Sequence, residues 1–147
     1  VHVHGAAGDV AVIGAAVDDD DVRLRAGRDL AEARINAVAK STAEAFGAVA
    51  EVRYERGYPV TVNAADNTDY AISVAKAVSG KVDADTPPLM GAEDFSFMLN
   101  ARPGAYIFLG NGDTAMVHHP AYDFDDRIIP FGASWYAEMV ETRMPAA

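Results

Sequence analysis

The chain has 147 residues, half of them apolar and 23% charged, a composition that supports a folded core and excludes a disordered segment. Twelve basic residues against 22 acidic ones give a net charge of −10, which excludes the positive footprint that nucleic acid or an anionic membrane surface requires. No apolar run approaches the ~20 residues that span a bilayer, and the lack of cysteine removes disulfides, thiolate nucleophiles and thiolate metal ligands from these residues.

The first stretch, Val1-His2-Val3-His4-Gly5, alternates like a strand already under way and carries no leader-like pattern. It is either a processed terminus or, as the leading expectation, the start of a fragment that begins inside a domain; the lack of cysteine fits a cytoplasmic location. Val10-Ala11-Val12-Ile13 reads as a strand. Asp18-Asp19-Asp20-Asp21 reads as a solvated turn, without the spaced carboxylates of a calcium loop. Val22-Arg23-Leu24-Arg25 alternates apolar and basic, as an exposed strand does.

Residues 29–46 carry the clearest helical pattern. Ala31, Ile35, Val38, Thr42, Ala45 and Phe46 share a face, Asp29 and Glu32 suit the first turn, and Gly47 is a natural terminator. Residues 48–56 alternate as a half-buried strand ended by Gly57 and Pro59. A second helix is predicted from about Asn67 to Gly80, with Tyr70, Val74, Ala77 and Val78 as its stripe. Lys81 to Pro88 reads as a turn-rich link, Leu89-Met90 as a strand end, and 92–100 as a short helix opened by Glu93 and Asp94. Residues 105–110 form a near-continuous apolar run, predicted as a strand buried on both faces. Residues 111–126 form a loop rich in Gly, His, Pro and Asp. The last helix runs from Pro130 to Arg143, with Phe131, Trp135 and Met139 on one face. The predicted class is α/β: an α+β lobe over residues 1–58 and a second, α/β lobe over 59–147.

Four histidines and one acidic pair are the candidates for chemistry. His2 and His4 share a face of the first strand, either as a metal clip or as solvated side chains. His118 and His119 sit in the loop after the apolar strand, where α/β proteins place ligands. They are either metal-binding imidazoles or a surface pair. Glu93 and Asp94 open a short helix, either as capping carboxylates or as supports of a site. No phosphate-cradling Gly-rich loop and no Gly-x-Ser-x-Gly nucleophile motif is present.

Taken together, Gly91-Ala92-Glu93-Asp94-Phe95-Ser96-Phe97-Met98-Leu99, Arg102-Pro103-Gly104-Ala105-Tyr106-Ile107-Phe108-Leu109-Gly110-Asn111-Gly112, Val117-His118-His119-Pro120-Ala121-Tyr122-Asp123-Phe124-Asp125-Asp126 and Ile129-Pro130-Phe131-Gly132-Ala133 resemble the C-terminal end of the metal-dependent amidohydrolases. These are the aminoacylase and hippurate-hydrolase-like enzymes, akin to plant auxin-conjugate hydrolases. Arg56-Gly57-Tyr58-Pro59-Val60-Thr61-Val62-Asn63 and the helix at 29–46 resemble the same family's lid, or dimerisation, domain.

The resemblance implies a partial lid in residues 1–58 and the C-terminal portion of a zinc-peptidase-like catalytic domain in 59–147. It implies a divalent metal such as zinc or manganese, with His118 as the metal ligand, and it places Glu93, Asp94 and His119 at the substrate cleft. It implies hydrolysis of N-acyl amino acids or related amides, in a homodimer formed through the lid. The family's remaining ligands and its general-base glutamate lie in a His-Gly-Cys-Gly-His-Asp-like motif and a paired-glutamate motif, neither of which occurs here. These residues alone are therefore expected to be inactive. The alternative is a non-catalytic dimerisation or binding module built from such an enzyme.

Overall fold

The computed structural model describes residues 7–8, 10–13 and 18–144. His2 and His4 lie outside the described residues. Helices and strands mix, as an α/β class requires. Three strands form one sheet in the order β2-β1-β3, where β1 is Val10–Ile13, β2 is Val82–Thr86 and β3 is Ile107–Leu109. The central strand runs parallel to β2, from Val10 opposite Val82, and antiparallel to β3, from Val10 opposite Leu109. The sheet thus takes β1 from residues 1–58 and its other two strands from 59–147.

Helix α1 spans Asp18–Ala45 and is longer than its apolar pattern predicts. The predicted acidic turn and exposed strand at 18–25 are instead its first two turns. Carboxylates are favoured at a helix N-terminus by the dipole, and leucine and arginine are good helix formers. The helix ends as predicted at Gly47, whose φ is 68°. The Gly47 N–H donates to the carbonyl of Glu44 (2.9 Å) and the Ala48 N–H to that of Ala43 (2.8 Å), the paired bonds of a Schellman end. The apolar stripe of α1 stays largely in solvent, with Val38 and Phe46 62% and 85% exposed.

Residues 48–57 are extended and keep the predicted alternation. Ala50, Val52 and Tyr54 are half-buried while Val49, Glu51, Arg53 and Glu55 face solvent. The predicted strand does not form a ladder here; side chains join this segment to α1 instead. The Arg56 guanidinium pairs with Asp29 (2.8 Å) and Glu32, and Arg28 donates to the carbonyls of Arg56 and Tyr58. Both carboxylates raise the Arg56 pKa, chiefly through the hydrogen bond to Glu32.

Helix α2, Ala65–Ser79, and helix α4, Ile129–Arg143, build the core. Ala71, Val74, Ala75 and Trp135 are buried, with Val82, Ile107, Leu109 and Met139 packed against them. The Trp135 indole N–H reaches the Ala71 carbonyl at 3.4 Å, and the Tyr70 hydroxyl donates to the Met139 carbonyl at 2.8 Å. The stripe of α2 is as predicted at Val74 and Val78, but Ala77 is exposed and Ala71 and Ala75 carry the contact. Ahead of β1, Gly8 has φ 90° and lies so near the Phe131 ring that a Cβ would approach it to 3.0 Å, so a larger residue would strain the backbone and press on the ring.

Two further expectations change. Residues 82–86 are a strand and not part of a turn-rich link. Half-buried Val82, Ala84 and Thr86 alternate with exposed Asp83 and Asp85, a period of two that the aspartates obscure. Leu89-Met90 is not a strand end, and Met90 is 96% exposed. The apolar run at 105–110 supplies only the three-residue β3, which lies half-buried at the sheet edge and not buried on both faces.

The segment entering α2 is tied to the segment entering β3 by one side chain. Asn63, 2% exposed, donates from Nδ2 to the Tyr106 carbonyl (2.9 Å) and accepts the Tyr106 N–H at Oδ1 (2.7 Å). The Ala64 N–H donates to the Gly104 carbonyl beside it (2.9 Å). Asn63→Ala leaves a buried N–H and C=O unpaired and is expected to destabilise the fold by about 2 kcal/mol. Urea denaturation monitored by circular dichroism measures the difference.

Candidate functional site

The acidic candidates sit between β2 and β3, ahead of the short helix α3, Phe95–Ala101. Both Glu93 carboxylate oxygens are engaged within the protein. Oε1 accepts the Phe95 N–H (3.1 Å), and Oε2 accepts the Tyr106 hydroxyl (2.9 Å). These donors, the Phe95 N–H first, hold the Glu93 carboxyl below the ordinary glutamate range. Burial first, and the Glu93 carboxylate second, push the Tyr106 hydroxyl up to about 12. The Tyr106 ring is packed between Phe95 and Phe108, at 5.5 and 5.3 Å between centroids. Asp94 occupies the N-cap position of α3 without a side-chain capping bond and is exposed. The pair therefore divides: Glu93 braces α3 against the start of β3, and Asp94 faces solvent.

The imidazole candidates sit in the loop that leaves β3. Because β3 is antiparallel to β1, this loop does not leave a parallel strand, and its placement follows from hydrogen bonds and not from parallel topology. Gly110 is buried and its carbonyl accepts the Gly8 N–H (3.0 Å). The loop then turns through 113–122. The His119 N–H donates to the Met116 carbonyl (3.0 Å) and the Tyr122 N–H to the His119 carbonyl (2.9 Å). The His119 ring is committed to this turn, since its Nδ1 accepts the Ala121 N–H (3.0 Å). His118 is exposed and has φ 70°, the one positive φ outside glycine among the described residues. Left-handed backbone is uncommon for any side-chain-bearing residue, and its presence at a loop histidine marks a position fixed by its surroundings.

Among the described residues no three of His, Cys, Asp and Glu gather where they could hold a metal. Glu93, Asp94, His118 and His119 therefore do not converge into one ligand group. A hydrolytic zinc takes about three protein ligands and leaves a position open. The donor chemistry here fits a contribution of one imidazole, His118, and not a whole coordination shell. Asn63, Tyr106 and Asn111 are the residues that sequence reasoning missed. Tyr106 was legible only as the start of an apolar run, and an asparagine that pairs with distant backbone leaves no local pattern.

Residues 2–142 match the family model described as peptidase family M20/M25/M40. Hippurate hydrolase of Campylobacter jejuni is 32% identical over 114 residues, covering 76% of this chain and 30% of that protein. Thermostable carboxypeptidase 2 of Saccharolobus solfataricus is 33% identical over 125 residues, covering 81% of this chain and 30% of that protein. A structure described as an aminohydrolase from methicillin-resistant Staphylococcus aureus shares the fold with a TM-score of 0.56 at 22% identity, over 74% of this chain and 29% of its own. The chain thus spans about a third of the length of the relatives it matches.

Tyr106→Phe removes one of the donors that hold Glu93 ionised, and is expected to destabilise the chain near neutral pH by about 1 kcal/mol. A lowered folded-state value stabilises above the ordinary glutamate value of 4.5 and is lost as pH falls through the folded value. The gap between the two proteins therefore narrows below that pH, as urea denaturation at neutral and acid pH measures.

Proposed function

The chain belongs to peptidase family M20/M25/M40, and from that membership we propose that it is a portion of a metal-dependent enzyme that hydrolyses amide bonds. The substrate class proposed is N-acyl amino acids and related conjugates, in keeping with the relative named hippurate hydrolase. The observation that carries the proposal is His118, an exposed imidazole on left-handed backbone in a turn whose other ring is already committed.

In this reading His118 supplies one nitrogen to a divalent metal such as zinc or manganese. His119 keeps the turn in shape through its Nδ1 and lies at the substrate side. Glu93 fixes the wall formed by residues 91–95, and the exposed carboxylate of Asp94 faces the cleft. The metal, when bound, polarises the amide carbonyl and acidifies water. The remaining donors and the proton acceptor come from polypeptide outside these 147 residues, which alone are inactive. The partial lid is residues 1–58 and the C-terminal portion of the catalytic domain is 59–147, with β1 of the first portion paired to β2 and β3 of the second. The solvent-facing stripe of α1 and the unladdered strand at 48–57 support pairing of two copies through the lid.

The test replaces the matched segment of the C. jejuni hippurate hydrolase with this chain. Hydrolysis of hippurate by the chimera, none by the 147-residue chain with added zinc or manganese, and a loss of about 100-fold or more in His118→Ala are expected. An active isolated chain, or a fully active His118→Ala chimera, overturns the proposal.

A further inference from the structure

The loop that carries His118 is cinched at its base by a single side chain. Asn111, directly after β3 and Gly110, donates from Nδ2 to the Asp123 carbonyl (2.7 Å) and accepts the Asp125 N–H at Oδ1 (2.8 Å). Thr114 adds a second stitch, its Oγ1 accepting the Asp123 N–H at 3.0 Å. The returning segment is itself fixed. Asp125 caps the 3-10 turn Asp126–Ile128 by accepting the Arg127 N–H (3.0 Å), and that turn runs into α4. The outgoing segment is fixed by the sheet, through β3 and the Gly8–Gly110 bond. Asn111 therefore joins two rigid supports, one from the sheet and one from α4, and the turn bearing His118 projects from between them.

We infer that Asn111 is a positioning residue for His118: its amide, bridging Asp123 and Asp125, fixes the loop geometry that holds the His118 backbone left-handed. This inference rests on the role given to His118 above. An untethered excursion of this length closes only at an entropic cost. The asparagine amide removes much of that freedom because it offers a donor and an acceptor at once, as a backbone unit does. Alanine at 111 removes both bonds and frees an N–H and a C=O to find water. The rest of the fold does not depend on them, since the core of α2, α4 and the sheet lies elsewhere.

Two measurements test it. In the 147-residue chain, Asn111→Ala is expected to speed amide exchange across 113–125 by about tenfold or more, with exchange in α2 and α4 unchanged. Thr114→Val, which loses one stitch of the same loop, is expected to give a smaller acceleration confined to the same residues. In the chimeric hydrolase, Asn111→Ala is expected to lower kcat by about tenfold or more with KM little changed, as displacement of a catalytic support does. Unchanged exchange in 113–125, or an unchanged kcat where His118→Ala abolishes turnover, overturns the positioning role and leaves the hydrolase reading standing. A chimera indifferent to His118→Ala overturns the hydrolase reading, and the exchange result then decides whether Asn111 orders the loop at all.

Discussion

The bidentate pairing of Asn63 with the backbone of Tyr106 is the constraint on which the rest of the site depends. A side-chain amide buried to 2% exposure stands in for a strand neighbour and satisfies both polar groups of one residue. That fixes where α2 begins relative to β3. It also fixes the Tyr106 ring, and through the Tyr106 hydroxyl the Glu93 carboxylate and the start of α3. Further along the same strand come Gly110, Asn111 and the loop of His118. A single buried amide thus sits upstream of both the acidic stretch and the histidine loop.

Those two stretches have different characters. The acidic stretch is braced: Glu93 spends both oxygens on internal donors, and its low pKa follows from them. The imidazole stretch is tethered at its base and open at its tip, with His119 tied into the turn and His118 presented to solvent. Fixed backbone beneath an exposed imidazole suits a group that meets partners from beyond these residues. The relatives are about three times as long as the matched segment.

How much of this was legible in the sequence depended on the range of the interaction. The C-terminal ends of α1 and α2, the Pro-led start of α4 and the face carrying Trp135 are written in local periodicity and in glycines at positive φ, and they read correctly. Residues 82–86 read wrongly because two aspartates in five residues look like a turn until burial reveals the period of two. Asp18–Asp21 misled for a related reason, since like charges favour solvent both in a turn and in a first helical turn. Residue types and spacing alone left His118 and His119 an undivided pair; the family resemblance singled out His118, and the hydrogen bond at the His119 ring shows a structural difference between the two. Asn63 and Asn111 act across 43 and 12–14 residues of sequence, and no window-based pattern reaches that far.

The packing of α4 on α2 has a practical consequence. The chain's single tryptophan, Trp135, lies in that contact, 9% exposed, with the Tyr136 ring 5.1 Å away. Its fluorescence is therefore an intrinsic reporter of one event, the seating of the last helix on the second. Neither α1 nor the histidine loop lies in that contact, so melting curves read by tryptophan emission follow the core and report little of those two segments.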